Sequence, residues 1–483
     1  MAKCVLLKLT LAGAIAVALF ADGAPALAGK AAAGKATLNP REALDIATDA
    51  YIYGYPLVTM DLARRVTTNV RQPEGMRAPL GQFAHSRTFP TASNHEASAP
   101  NADMLTTMSW LDVSTEPWVL SIPDTHNRYC LFSLLDGWTT VFQSLGKRTT
   151  GTGPQKCAIT GPAWKGKLPA GLKQCKSPTS IVWILGRIYC TGTTEDYAAV
   201  HAIQDACSLV PLSSYAKTYT AQPGQVDQAI DSNTPVREQV SRLGTGAFFN
   251  RLALLMKDNP PARADAKLIK QMGRLGIVRS QPFDIGQFDT MVIEMLQYVP
   301  SIALAKIQGW FTNGANVNPG NAILQNGWRS SLRTGDYGTD YLQRAWITAI
   351  GRGASLPQDA VYAISNVDEV GQPYSGNFQY VMRFPPGQAP VANGFWSLTV
   401  YDADYFFVEN ALGRYTLSAR DELRFNGDGS LDLYLQQHSP GSMGEANWLP
   451  TPAGKFLLIL RFYWPKESLL NGSWKIPPVK RVN

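Results

Sequence analysis

Residues 180–190 read Ser-Ile-Val-Trp-Ile-Leu-Gly-Arg-Ile-Tyr-Cys, "SIVWILGRIYC". The run is rich in β-branched and aromatic residues and follows the turn-prone Lys176-Ser177-Pro178-Thr179, so it reads as a strand. Its neighbours repeat the pattern: "WVLSIPD" (118–124), "RYCLFSLLD" (128–136) and "KCAITGP" (156–162) are short runs separated by Pro, Gly and Asp. Strands return from about residue 360, as "NFQYVMRF" (377–384), "GFWSLTVYD" (394–402), "LDLYLQQ" (431–437) and "KFLLILRFYW" (455–464). The turn Asn426-Gly427-Asp428-Gly429 falls between two of these runs and is a hairpin signal.

Between the two strand-rich regions the period changes. "TEDYAAVHAIQDACSLV" (194–210), "PVREQVSRLGTGAFFNRLALLMKD" (235–258), "ADAKLIKQMGRLGI" (264–277) and "DTMVIEMLQYVPSIALAKIQGW" (289–310) have helical spacing. A further helix opens the chain: Asn39-Pro40 is an N-cap followed by proline at the first helical position. It is expected to run to about Arg65. Inside it "AYIYGYPLV" (50–58) places three tyrosines around Gly54 and meets Pro56, which should kink or end the helix. Tyr51 and Tyr55 are four apart and share one face, whereas Tyr53 lies on another. The fold class expected is α+β: two β-rich, sandwich-like modules with an N-terminal helix and a helical middle section.

The first residues read as an export signal. A short basic start, an apolar run from Val5 to Ala21 interrupted only by Lys8 and Thr10, and Ala26-Leu27-Ala28 make the pattern of a cleaved leader, with Gly29 as the mature start. The organisation expected is a signal peptide over 1–28 and a mobile tail over 29–38. An N-terminal module with its opening helix then covers 39–200, a helical section 201–350 and a C-terminal β-sandwich module 351–483. Beyond the leader no run approaches about 18 consecutive apolar residues, so a soluble periplasmic or secreted mature protein without a membrane span is expected.

Composition narrows the function classes. Hydrophobic residues at 45% and charged ones at 17% describe a globular chain with ample core. The formal net charge of +7 is mild for 483 residues, and Lys/Arg occur only as pairs such as Arg64-Arg65 and Lys480-Arg481, which gives nucleic-acid binding no support. There are 12 Trp, 19 Tyr and 18 Phe against five His, a balance that favours apolar and stacking surfaces over histidine-based metal chemistry. Five cysteines (130, 157, 175, 190, 207) follow the leader without a CxxC spacing. Export makes disulfides chemically accessible, and Cys157–Cys175, flanking the turn-rich "GPAWKGKLPAG", is the favoured pair.

The chain contains no GxSxG, HExxH, GxxxxGK[ST] or GxGxxG. Two Ser-x-x-Lys tetrads, Ser144–Lys147 and Ser214–Lys217, lack the partner motifs that would give them meaning. Polar groups concentrate in two segments instead. The first, 85–107, holds His85, His95, Glu96, Asn101 and Asp103. A histidine near a carboxylate can shuttle protons at neutral pH, while Asn and Asp in a surface loop can equally cap turns. The second, 400–415, holds Tyr401, Asp402, Asp404, Glu409, Asn410, Arg414 and Tyr415; an Asp402–Arg414 pair could clamp a polar ligand or join two segments. Tryptophans recur beside turns, Trp138 and Trp164 among them, where they can line a stacking platform or close a sandwich core.

"AYIYGYPLV", "PNADML", "WLDVSTEPWVLSIPD" and "SPTSIVWILGRIYCTG" resemble the N-terminal module known as domain of unknown function 1254. "GFWSLTVYDADYFFVENALGRYTL", "DGSLDLYLQ", "NWLPTPAGKFLLILRFYWPK" and "WKIPPVKRV" resemble its companion, domain of unknown function 1214. The resemblance covers roughly residues 40–200 and 335–483. It implies exported bacterial proteins with β-rich modules and a helical section, and it implies no activity. The family's recurring polar positions match His85, Asn101, Asp103, Trp138, Arg148, Tyr401, Asp402, Asn410, Arg414 and Tyr415. One departure is that Met104-Leu105-Thr106 stand where relatives commonly have Thr-Leu-Tyr.

These readings converge on an expectation: an enzyme, of hydrolase type, acting on a small or amphiphilic organic substrate in a cleft between the two modules. His85 would be the base, oriented by Asp103 or Asn101, with Arg414 and Tyr401 binding developing negative charge. Asn101, Trp138, Arg148, Asp402, Asn410, Tyr415 and Tyr53 would line the substrate site. No cofactor or metal is expected. The alternatives are a non-catalytic envelope binding protein for a glycan, lipid or aromatic ligand, and a structural envelope protein.

Overall fold

The computed structural model describes residues 38–94, 99–310 and 322–482; the expected leader, His95 and Glu96 lie outside them. The opening helix α1 (Pro40–Thr67) starts as expected, with the Asn39 side chain accepting from Glu42 N and Pro40 at the first position. It does not end at Pro56. The helix continues past the missing N–H because Tyr51 through Ala63 are all buried, and packing on every side outweighs one lost hydrogen bond.

The strands β1 (Ala84–His85), β2 (Met104–Asp112), β3 (Trp118–Ile122), β4 (Cys130–Asp136) and β5 (Val141–Gly146) open the first module. They are followed by β6 (Gln155–Thr160), β7 (Lys173–Lys176), β8 (Ile181–Tyr189), helix α2 (Thr194–Ala206) and β9 (Ser208–Pro211). One sheet has the order β1-β2-β8-β4-β5 and the other β7-β6-β3-β9. They face each other across a core that includes Leu105, Phe132 and Ile184 from the first and Leu120, Ile159 and Leu209 from the second. The quoted run 180–190 is thus the inner strand β8, paired on both sides. Because β9 pairs with β3, the module extends through α2 to Pro211, past the expected boundary at 200.

The middle section holds α3 (Val236–Ser241), α4 (Thr245–Leu255), α5 (Ala266–Arg274), α6 (Thr290–Leu296), α7 (Val299–Gly309) and, after strands β10 (Ala322–Gln325) and β11 (Trp328–Ser331), α8 (Tyr341–Gly351). These helices gather round α1. Tyr51 stacks on Phe248 of α4 at 3.9 Å, and Gly54 lies where a Cβ would come within 2.4 Å of Leu252. The "opening helix" is therefore the axis of the helical section. The stretch Thr290–Gly309 is long and apolar enough by composition to cross a membrane; it is folded as α6 and α7 against α1, with a turn at Gln297–Tyr298.

The second module comprises β12 (Ala360–Ser365), β13 (Tyr380–Phe384), β14 (Ala392–Asp402), β15 (Thr416–Ser418), β16 (Leu431–Gln436), β17 (Trp448–Pro450), β18 (Phe456–Pro465), the short α9 (Glu467–Leu470) and β19 (Val479–Arg481). The sheets β10-β11-β12-β18-β14-β15 and β17-β16-β13-β19 enclose a core with Leu398, Leu458 and Phe462 on one side and Met382, Phe384 and Leu433 on the other. The module reaches back to β10, so it begins before the expected residue 351. Asn426–Gly429 does form a turn, with Gly429 N donating to Asn426 O, but not a hairpin. The preceding strand, β15, belongs to one sheet and the following strand, β16, to the other, so the turn carries the chain across the sandwich.

Strand alternation leaves each central sheet a second, outward face. On β18 the residues Leu458, Leu460 and Phe462 point into the sandwich, so Ile459, Arg461 and Tyr463 point out. The opposite face is offered by Leu131 of β4 and Tyr189 of β8, and Met104, Tyr129, Leu131, Phe395 and Tyr463 form an apolar cluster shared by the two modules.

Candidate functional site in the seam between the modules

Asp103 stands immediately before β2, 1% exposed. Asn101 Oδ1 accepts from the backbone N–H of Asp103 and Met104, fixing the turn that aims the carboxylate at the second module. Across the seam Ser397 Oγ donates to Asp103 Oδ2 at 2.6 Å and Tyr463 OH donates to the same oxygen at 3.1 Å. Asn101 Nδ2 donates to Tyr463 OH at 2.7 Å. Asp103 Oδ1 faces Arg420 at 3.4 Å and has no hydrogen bond. Arg420 is held in place by the carbonyls of Ala102 and Cys190.

Arg461 lies beside this cluster, 2% exposed. Its Nη1 donates to Thr399 Oγ1 at 2.8 Å and its Nη2 to Tyr401 OH at 2.5 Å, while Tyr401 OH donates to Pro100 O. The guanidinium sits over the rings of Tyr362 and Tyr401, 5.3 and 5.6 Å from their centroids. Burial alone would weaken its charge, but the phenol oxygens of Tyr401 and Tyr463 and the Asp103 carboxylate hold its pKa above the ordinary value. Its Nε has no hydrogen-bond partner. Tyr362 is half-buried and accepts from Arg187 Nη1 of β8 at 3.4 Å; the Nε of Arg187 is likewise without a partner. Burial pushes the Tyr463 phenol well up, as it does the Tyr401 phenol.

Of the residues singled out in the sequence, Asn101, Asp103 and Tyr401 meet in this centre. His85 does not join them. It lies on the edge strand β1, where Nδ1 shares a hydrogen with Thr107 Oγ1 at 3.0 Å and the ring packs near Phe83. Burial, helped by the nearby Arg87, lowers its pKa to about 4, so it is neutral at physiological pH. Among the described residues it makes no hydrogen bond or ion pair with Asp103. Arg414 donates to the carbonyls of Glu445 and Trp448, and Asn410 and Asp402 cap their own loops, so no Asp402–Arg414 clamp forms. Tyr415 stacks on Phe407 and accepts from Ala92 N.

Arg148 belongs to the seam at a second place, donating to Asp359 Oδ1 at 2.6 Å. Ser144 Oγ donates to the other oxygen of Asp359, and Lys147 Nζ to Asn127 O, which disposes of that Ser-x-x-Lys tetrad as a catalytic pair. The second tetrad is local too, with Lys217 Nζ on Ser213 O. Tyr53 and Trp138 lie in the helical section's contact with the first module. Tyr53 OH donates to Asp265 Oδ2, and Arg344 sits over the rings of Tyr53, Trp138 and Tyr341. Among the described residues no group of three or more His, Cys, Asp or Glu is placed to hold a metal ion. Two surface hollows, ≈ 330 Å³ at Asp368 and Arg481 and ≈ 320 Å³ at Asp61 and Arg251, are lined by none of the seam residues.

Sequence reasoning did not find Arg187, Arg420, Arg461, Ser397 or Tyr463. The signal for two of them was present: alternation in "LLILRFYW" puts Arg461 and Tyr463 on the face opposite Leu460 and Phe462. An arginine in the middle of so apolar a strand needs a reason to be there.

This architecture defines a two-module, β-rich protein with a helical section packed against its modules. The chain belongs to the two-domain family expected from the sequence: residues 80–211 match the model "Protein of unknown function (DUF1254)" and residues 359–467 match "Protein of unknown function (DUF1214)". No curated protein matches the chain. Among solved structures, the VPA0106 protein from Vibrio parahaemolyticus is 24% identical with a TM-score of 0.66, over 91% of this chain and all of that one, and shares its fold. An uncharacterized protein from Burkholderia cenocepacia is 12% identical with a TM-score of 0.43, over 92% of this chain and 94% of that one.

Proposed function

We propose that the protein is an exported binding protein for a small or amphiphilic organic molecule, held in the seam between the two β-rich modules. The observation that carries this is a pair of buried polar atoms left without hydrogen bonds beside Tyr362: Arg461 Nε and Arg187 Nε. Buried polar groups are normally satisfied, and such a pair points to a missing partner. The half-buried Tyr362, Ile364, Tyr189 and Trp464 around them supply apolar and aromatic contact. Periplasmic or secreted localisation rests on the leader-like residues 1–28.

A second reading, a hydrolase using the same seam, is favoured by the 2.6 Å bond from Ser397 Oγ to Asp103 Oδ2, a hydroxyl aligned on a carboxylate. The role given to His85 has no geometric support, because its partners are Thr107 and Phe83. The test is a thermal-shift screen of organic compounds, charged and neutral, on the purified mature chain, repeated with Tyr362→Ala. A compound that raises the midpoint only in the native protein supports the seam as the site, and conversion of that compound on incubation selects the hydrolase. Hits unaffected by Tyr362→Ala would place the ligand elsewhere.

A further inference from the structure

The charges in the seam say what kind of molecule it takes. Asp103 and Arg420 form one ion pair at 3.4 Å, and among the described residues Asp103 is the only carboxylate with a hydrogen bond or ion pair into this cluster. Arg461 is then left as a guanidinium at 2% exposure with, among the described residues, no carboxylate within ion-pair distance. Two of its nitrogens are bound to neutral hydroxyls, Thr399 and Tyr401, and the third has no acceptor. A charge taken out of water needs a counter-charge or full solvation by hydrogen bonds, and here the phenol rings provide only part of it.

Arg187 approaches the same Tyr362 from the first module; the residue is half-buried and its Nε is fully buried. The deep part of the seam therefore has one positive charge in excess, with a second in reserve at its rim. Each guanidinium retains one free Nε–H, making two donors for two acceptor oxygens. Tyr362 belongs to the apolar clusters on both sides of this point, with Met104 and Trp464 in one and Ile364 and Ile459 in the other.

Resting on the reading of the seam as a ligand site, we propose that its ligand is an organic monocarboxylate with an apolar body, the carboxylate set between Arg461 and Arg187 and the body against Tyr362. A dianion such as phosphate would bring a second charge and further oxygens that the two free donors do not match. A neutral molecule would leave Arg461 uncompensated.

The experiment uses the full mature chain and calorimetric titration with octanoate and benzoate, their amides octanamide and benzamide, and inorganic phosphate, on the native protein and on Arg187→Gln. Arg187 is half-buried, so its loss leaves the fold intact; a circular-dichroism melt confirms this. The expected result is binding of a carboxylate, no binding of its amide or of phosphate, and a loss of roughly tenfold or more in affinity in Arg187→Gln, the size of one charge-assisted hydrogen bond. An amide that binds as well as its acid, with binding lost in Tyr362→Ala, overturns the carboxylate while leaving the seam as the site. Binding of phosphate alone also overturns it. If no compound of any class binds, the free Nε groups are satisfied by ordered water alone, and both this inference and the ligand site fall.

Discussion

Asn101 and Tyr463, 362 residues apart in sequence, are joined by a 2.7 Å hydrogen bond from the amide nitrogen to the phenol oxygen. The same phenol passes its own hydrogen to Asp103, so one side chain of the last long strand, β18, reads the position of a turn in the first module. The two β-sandwiches are joined by this chain of polar contacts and by the apolar cluster beside it.

Removing the carboxylate should loosen that junction. Asp103→Ala is expected to lower stability by about 3–5 kcal/mol, because the half-buried Arg420 would lose its carboxylate and the buried Arg461 a nearby negative charge. Asp103→Asn, which keeps an acceptor for Ser397 and Tyr463, should cost less. Denaturant midpoints of the three proteins test this; equal stability of Ala and native proteins would show that the seam carries no net energy.

Gly54 should not tolerate a methyl group. A Cβ there would stand 2.4 Å from Leu252 Cδ2 inside the fully buried packing of α1 on α4, and Gly54→Ala is expected to destabilise by about 1–3 kcal/mol. Leu252→Ala in the same chain should recover part of that loss. Gly376 is a harsher case, since its Cβ would meet the Pro452 carbonyl at 1.7 Å, and backbone cannot step aside. Gly376→Ala should therefore be the more damaging change by the same measurement.

His85 makes stability fall with acid. Its pKa is about 4 in the folded protein against 6.5 for the free side chain, so between those values the unfolded chain takes up a proton that the folded one refuses. The contribution is fully present above pH 6.5 and is lost progressively as pH falls towards 4. In His85→Gln that part of the pH dependence should vanish, seen as a smaller difference between melting temperatures at pH 7 and pH 5. An unchanged difference would mean that His85 titrates normally.

Cys157 and Cys175 are the thiols expected to pair. On the parallel strands β6 and β7, Cys175 is opposite Ile159, two residues from Cys157, so both side chains share one face and enter the same core. Hydrogen bonding between the two sulfurs pushes the Cys157 thiol up and the Cys175 thiol down. All five described cysteines are free and buried in the structure. Mild oxidation followed by peptide mapping should yield the 157–175 link and no other, and Cys175→Ser should abolish it.

The strands, the helical section and the two-module plan were legible because each rests on local periodicity. "SIVWILGRIYC" and "KFLLILRFYW" became the inner strands β8 and β18, and the Asn39-Pro40 start became the cap of α1. What periodicity does not carry is which face meets which partner. The Asn-Gly-Asp-Gly turn has the chemistry of a hairpin, yet its flanking strands pair in different sheets, a choice made by sandwich packing. Asn101, Asp103 and Tyr401 stood out because polar residues are conspicuous in turns and at strand ends. His85 and Arg414 stood out for the same reason, and local contacts absorb them. Arg461 was hidden inside an apolar strand, where its meaning depends on a sheet some 270 residues earlier in the chain.

The seam also has a direction in time. Ser397 and Tyr463 lie 294 and 360 residues after Asp103, so a chain emerging from its N-terminus completes the first sandwich long before the groups that answer that carboxylate exist. Until β18 is made, the outward face of β2, β4 and β8 remains uncovered, with Asp103 and Arg187 open to water. The last strands thus act as the closing step of assembly, and a chain cut short after the helical section would carry a finished first module whose sticky flank has nothing to shield it.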